Sequence, residues 1–246
     1  PLFQRPYSWR KDNVKQLWYD LIATKDENDE FSHFFGSFVT MPIPSSASQV
    51  SKYTIIDGQQ RIVTTYILLA AIRNRIIELE SDSELKDEID EKYLINKFDP
   101  LGKYKVVPTQ ADKSIFFKII DELSPDLDDN HKITETYEYF QKELSKLNDL
   151  DGLILLKDTL LSKFSVVDIT LENNDDPYLI FESLNATGTP LTQADLIRNY
   201  LFMRISEDNQ QEVYNSIWFP MQQQLGDYLE NFYQTLFSNG WEYSQF

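Results

Sequence analysis

The chain has 246 residues, 41% hydrophobic and 14% aromatic, enough apolar material for one large domain or two small ones. Its 23 Lys and Arg stand against 40 Asp and Glu, a net charge of −17, with no cysteine, two histidines and seven glycines. The scattered glycines exclude GxGxxG, GxxxxGK[ST] and GxSxG loops; the missing cysteines exclude disulfides, thiolate metal centres and cysteine nucleophiles; and His33 and His131 are too far apart for an HExxH motif.

In chain order, Gln4-Arg5-Pro6-Tyr7-Ser8-Trp9-Arg10 comes first, a turn stiffened by Pro6. The opening Pro1-Leu2-Phe3-Gln4 reads as the end of a strand from a longer N-terminus. Ser8 or Asp12 is expected to cap a helix whose buried stripe is Val14, Leu17, Trp18, Leu21 and Ile22. The run Phe34–Met41 has strand length, with Pro42 and Pro44 expected to stop it, and His33 reads as a loop or strand-edge residue. Tyr53–Ile56 is a second strand, and the two suggest a long-looped antiparallel hairpin. Asp57-Gly58 follows, and a long helix opens at once, from Gln59 to about Leu79.

The stretch 78–92 carries eight acids and two lysines and reads as a solvated helix end and loop. Tyr93–Phe98 and Tyr104–Val107 flank a hairpin turn at Asp99-Pro100-Leu101-Gly102. Asp112 is expected to cap a helix carrying Ile115, Phe116, Ile119, Ile120 and Leu123, with further helices at about 132–148 and 151–162. Phe164–Leu171 reads as a strand returning to the first sheet. Helices are expected over Pro177–Leu184, over 193–205 behind a Thr192/Asp195 capping box, and over the aromatic 209–239. From Ile205 to Phe246 there are six acids and no Lys or Arg, a poor surface for nucleic acid or an anionic membrane, and the aromatic end reads as running on into another domain. The class is α+β with helices dominating. Residues 1–110 and the returning strand near 164–171 are expected to form one part and 111–246 a mainly helical part. No apolar run is long enough to cross a bilayer and no signal peptide is visible, which fits a cytoplasmic protein.

Three segments carry chemical potential. In the first, Arg5 offers a planar donor fork and Tyr7 and Trp9 offer stacking faces. In the second, Ile56–Arg61, a helix start presents free amides and the positive dipole end, Gly58 would let a ligand approach the backbone, Arg61 adds charge, and Gln59 and Gln60 add neutral donors. Asp57 is placed either to cap the helix or to hold Mg²⁺ against a bound phosphate. The third runs from Phe181 to Asn199, where Asp195 and Arg198 lie one helical turn apart. Taken singly, each segment is better read as a cap, a turn or an internal ion pair.

Together these segments resemble the N-terminal domain of GmrSD-type restriction endonucleases. QRPYSW at 4–9, FFGSFV at 34–39, IDGQQR at 56–61, PTQAD at 108–112 and LNATGTPLTQADLIRN at 184–199 occur in the family's order. The resemblance implies a ParB/sulfiredoxin-like sheet with a predominantly helical remainder, and binding and hydrolysis of a nucleoside triphosphate with Mg²⁺, coupled to restriction of modified DNA. It implies catalytic roles for Asp57, Gln60 and Arg61, with Asp57 on the metal. Gln4, Arg5, Trp9, Gly58, Gln59, Asn185, Asp195 and Arg198 would line the nucleotide site. It also implies an HNH-type nuclease domain or subunit as partner, through which modified DNA would be met; no nuclease site is recognisable in this chain. Two other readings stay open: a modified-DNA-binding module using Arg5, Arg10, Arg61, Arg73 and Arg75, and an interaction module whose motifs only hold the fold.

Overall fold

The computed structural model describes residues 6–27, 32–44, 50–99, 102–121 and 130–172, and beyond them 175, 180, 194, 197, 198, 201, 202, 205, 207–226, 228, 229, 232 and 235. By packing, the chain divides into a unit of Pro6–Thr170 and a second unit holding Leu171–Phe246 with Pro1–Arg5. The class is mixed α and β, dominated by helix, as expected.

The first unit is built round one helix. Helix α2 (Gln59–Leu79) buries Val63, Ile67, Leu68, Leu69, Ala70, Ala71, Ile72 and Ile76, more than one face, because it is surrounded. Helix α1 (Lys11–Asp26) contributes the expected Val14, Leu17, Trp18 and Leu21 to the same core. Helices α4 (Lys113–Asp121), α5 (Lys132–Leu144) and α6 (Leu150–Ser162), with Phe116, Ile119, Phe140, Leu153 and Leu156, close it. The cap of α1 differs from expectation: Asn13 Oδ1 accepts from Arg10 N at 3.0 Å, so neither Ser8 nor Asp12 is needed.

Strands β1 (His33–Ile43), β2 (Lys52–Asp57) and β3 (Phe164–Thr170) form a sheet in the order β2-β1-β3, with β1–β2 antiparallel and β1–β3 parallel. The hairpin and the returning strand are thus as expected. Pro42 does not stop β1, which continues to Ile43 paired with Lys52. Pairing with β3 ends at Thr40, so β1 has become an edge before Pro42 and tolerates a residue without an N–H.

The 78–92 stretch is more than a solvated end. A short helix α3 (Glu84–Ile89) and a π-helical turn (Asp90–Leu94) bury Ile89 and Leu94 in the core. The expected hairpin at 93–107 is reduced to one bridge, Ile95 with Tyr104. Asp112 does not turn its carboxylate to α4. Its carbonyl accepts from Phe116 N, while its side chain faces the N-terminal segment.

In the second unit, helices Glu207–Val213 and Phe219–Leu225 are joined by a π-helical turn at Tyr214–Trp218 around a cluster of Phe202, Tyr214 and Trp218. Ile180, helical, is the one described residue of the expected 177–184 helix; the Thr192/Asp195 box and most residues of the 193–205 helix lie outside the described residues.

Candidate functional site

The β2-to-α2 corner is made by one residue in a left-handed conformation. Gly58 has φ +96° and is the N-cap of α2, with no side chain capping the helix. Any other residue would be strained there, and a Cβ would run into the ring of Phe38. Phe38 therefore fills the space where a Gly58 side chain would stand. Asp57 does not cap the helix either. Its Oδ2 accepts from Arg61 at 3.1 Å, an i,i+4 pair with both side chains about a quarter exposed.

Arg61 is held from three sides. Its guanidinium donates to Asp57 and to the Ser37 carbonyl at 2.5 Å, and its Cζ lies 5.5 Å from the Phe38 ring centre. Gly36, at φ +112° beside a register shift in the sheet, would place a Cβ 3.1 Å from that guanidinium, so β1 comes this close only because the residue is glycine. The Nε–H of Arg61 is buried with no hydrogen-bond partner. The corner thus holds a guanidinium with one unpaired donor beside the start of α2, its charge matched by the Asp57 carboxylate at 3.1 Å.

Gln60 faces the other way. Its Oε1 accepts from Ser8 N at 2.7 Å and its Nε2 donates to the Pro6 carbonyl at 3.4 Å. Tyr7 is buried, so it offers no stacking face. Its hydroxyl meets Thr64 Oγ1 at 2.7 Å and accepts from Thr136 Oγ1 at 3.3 Å, and burial pushes its ionisation up to about 12. Tyr7 N donates to Asp112 Oδ2 at 2.9 Å, and Thr109 Oγ1 donates to the same oxygen at 2.6 Å. The segments 6–9, 56–61 and 108–112, far apart in the chain, thus share one hydrogen-bond network.

Trp9 lies in the wall of a cleft of about 490 Å³ between α1 and α5, with Lys11, Lys15, Thr136, Glu138 and Tyr139. Of the remaining expected site residues, Gln59 is partly exposed at the helix start. Arg198 is buried in the second unit, and Gln4, Arg5, Asn185 and Asp195 lie outside the described residues. The sequence reading missed Ser37 and Phe38 as partners of Arg61, and Asp112 as a partner of Tyr7. For Asp112 a signal existed, the PTQAD segment; for Ser37 there was none, since only its carbonyl takes part.

Of the arginines proposed for a DNA-reading face, Arg61, Arg73 and Arg75 are engaged within the fold, Arg10 is exposed, and Arg5 lies outside the described residues. Arg73 is buried, donating to Asp90 at 2.6 Å and to the Ile120 carbonyl at 2.7 Å. Arg75 donates to the Leu147 carbonyl and pairs with Glu78. Among the described residues no three His, Asp or Glu gather as a metal cluster, and no helix is long and apolar enough to cross a membrane.

No curated protein matches the chain. The family model described as the GmrSD restriction endonuclease, N-terminal domain, matches residues 1–202, which takes in every motif set out above. The chain belongs to the GmrSD restriction endonuclease N-terminal domain family, and so to the components of restriction systems.

Proposed function

We propose that the chain binds a nucleoside triphosphate with Mg²⁺ at the β2–α2 corner and hydrolyses it, as a regulatory domain of a restriction system directed at modified DNA. The carrying observation is Arg61, a cation with a buried, unpartnered Nε–H beside the uncapped start of α2. The phosphates would lie on the amides of Gln59, Gln60 and Arg61, the usual place for an anion at a helix N-terminus. Asp57, the carboxylate paired with Arg61, suits a Mg²⁺ held otherwise by phosphate and water, and the ion would supply charge neutralisation there. Binding would draw Arg61 from Asp57 towards phosphate. Hydrolysis would join a water oxygen to the γ-phosphorus and break its bond to the β–γ bridging oxygen, releasing the nucleoside diphosphate, inorganic phosphate and a proton. Trp9, with Tyr7 buried, is the aromatic left to meet a base. A nuclease domain or subunit, of HNH type in the family's pattern, would be the element regulated, and modified DNA would be met through it.

Calorimetry and phosphate-release assays with each of ATP, GTP, CTP and UTP in Mg²⁺ test this. Weaker binding in Arg61→Ala is expected; absence of binding and turnover for all four overturns it. The second reading, an interaction module without catalysis, is favoured by the ties of Arg61 to the Ser37 carbonyl and to Asp57 within the fold. It predicts that Arg61→Ala lowers stability and changes nothing else.

A further inference from the structure

Asp112 is an expensive residue for its place. Its carboxylate is almost fully buried, one oxygen serves Tyr7 N and Thr109 Oγ1, and the other is buried with no hydrogen-bond partner, 3.4 Å from His131 Nε2. Burial holds its acid form to higher pH than an ordinary carboxyl, against the pull of His131 and Lys132. His131 has its own duty, since its Nδ1 accepts from Ile133 N at the start of α5. An amide would satisfy the two donors with less desolvation. What the carboxylate adds is a charge-assisted hold on one backbone N–H, that of Tyr7.

That N–H belongs to a segment which touches α2 next. Ser8 N and the Pro6 carbonyl clasp the Gln60 side chain, and the Tyr7 hydroxyl meets Thr64, whose Oγ1 also donates to the Gln60 carbonyl at 2.7 Å. Gln60 has both ends of its amide engaged in this clasp and none turned to a reacting phosphate. We infer that Asp112 is a positioning residue for the β2–α2 corner: through Tyr7 it seats the Pro6–Trp9 strap on Gln60, and so sets where that strap stands on the first turn of α2. The inference rests on the nucleotide reading of that corner and reassigns Gln60 from catalysis to seating.

Residue-resolved amide exchange by NMR on the full chain, with calorimetry of Mg²⁺ and each of the four nucleoside triphosphates, tests it. Asp112→Ala is expected to speed exchange at Tyr7 and Ser8 by about tenfold or more, leave the α2 core amides at 68–72 unchanged, and weaken triphosphate binding by about tenfold. Asp112→Asn, which keeps an acceptor, restores most of both. Unchanged exchange at Tyr7 and Ser8, faster exchange with full affinity, or no recovery in Asp112→Asn overturns the inference. If Asp112→Ala does not fold, Gln60→Ala carries the test. Ser8 is then expected to exchange faster with Tyr7 still protected and affinity lowered, and unchanged Ser8 exchange overturns the seating. If the unaltered chain binds none of the four, the nucleotide reading falls, and the exchange rates alone decide the seating.

Discussion

Arg61 shows why a motif residue is hard to read singly. It makes a surface-type i,i+4 pair with Asp57, worth about 0.3–0.5 kcal/mol, and a charge-assisted bond to the Ser37 carbonyl, worth about 1.5–3 kcal/mol. Arg61→Ala should therefore cost about 1–2 kcal/mol of unfolding free energy in urea, because Ser37 loses its donor but is only partly buried. If the corner binds triphosphate, the same change should weaken binding by about 2 kcal/mol, roughly thirtyfold, in calorimetry. Asp57→Asn keeps the size of the side chain and removes the charge. Turnover should fall further than affinity, and Mg²⁺ titration of the residual activity should need higher metal; equal losses in both would remove Asp57 from the metal.

At the scale of the element, the corner depends on two glycines for two reasons. Gly58 must be left-handed to turn β2 into α2, and Phe38 occupies the place of its missing side chain. Gly58→Ala should destabilise by about 2–4 kcal/mol, strain plus displacement of the ring, read as a fall in the urea midpoint at unchanged slope. Gly36→Ala should be felt at Arg61 itself, since the added carbon meets the guanidinium. Helix α2 carries the opposite risk. Arg73 is buried against the end of α4, with Asp90 and the Ile119 and Ile120 carbonyls as its partners. Arg73→Ala should lower unfolding free energy by about 2–4 kcal/mol, since it removes the buried donor of the Ile119 and Ile120 carbonyls and the partner of the partly exposed Asp90. A change within 1 kcal/mol, which is a small effect on this scale, would mean the pair contributes nothing net.

For the molecule as a whole, acidity is the accessible lever. Asp112 ionises at higher pH when folded than when unfolded, so its protonated form is the one that favours the fold. Its contribution is full below the unfolded carboxyl pKa and is lost as pH rises through the raised folded value. Asp112→Asn should thus raise the melting temperature at pH 7, and the gain over the parent should shrink towards pH 3. A gain that grows on acidification would reverse the assignment. The −17 net charge acts in the same direction, since carboxylates elsewhere repel one another more as pH rises to neutral, and added salt should stabilise parent and variant alike.

The start of α2 at Gln59, the two strands before it, the returning β3 and the family itself were legible in the residues. Each rests on short-range physics: a β-branched run, a glycine, an apolar period, a run of letters in order. What no window of sequence contained was which distant group would fill each vacancy. Phe38 over Gly58, Ser37 under Arg61, Gln60 clasping Ser8 and Asp112 reaching Tyr7 across 105 positions were decided by packing. Buried polar groups must find partners, and only the folded chain determines who is within reach. The same rule separated Tyr7 from Trp9, two aromatics equivalent in the motif, by burying one and leaving the other in the wall of a cleft.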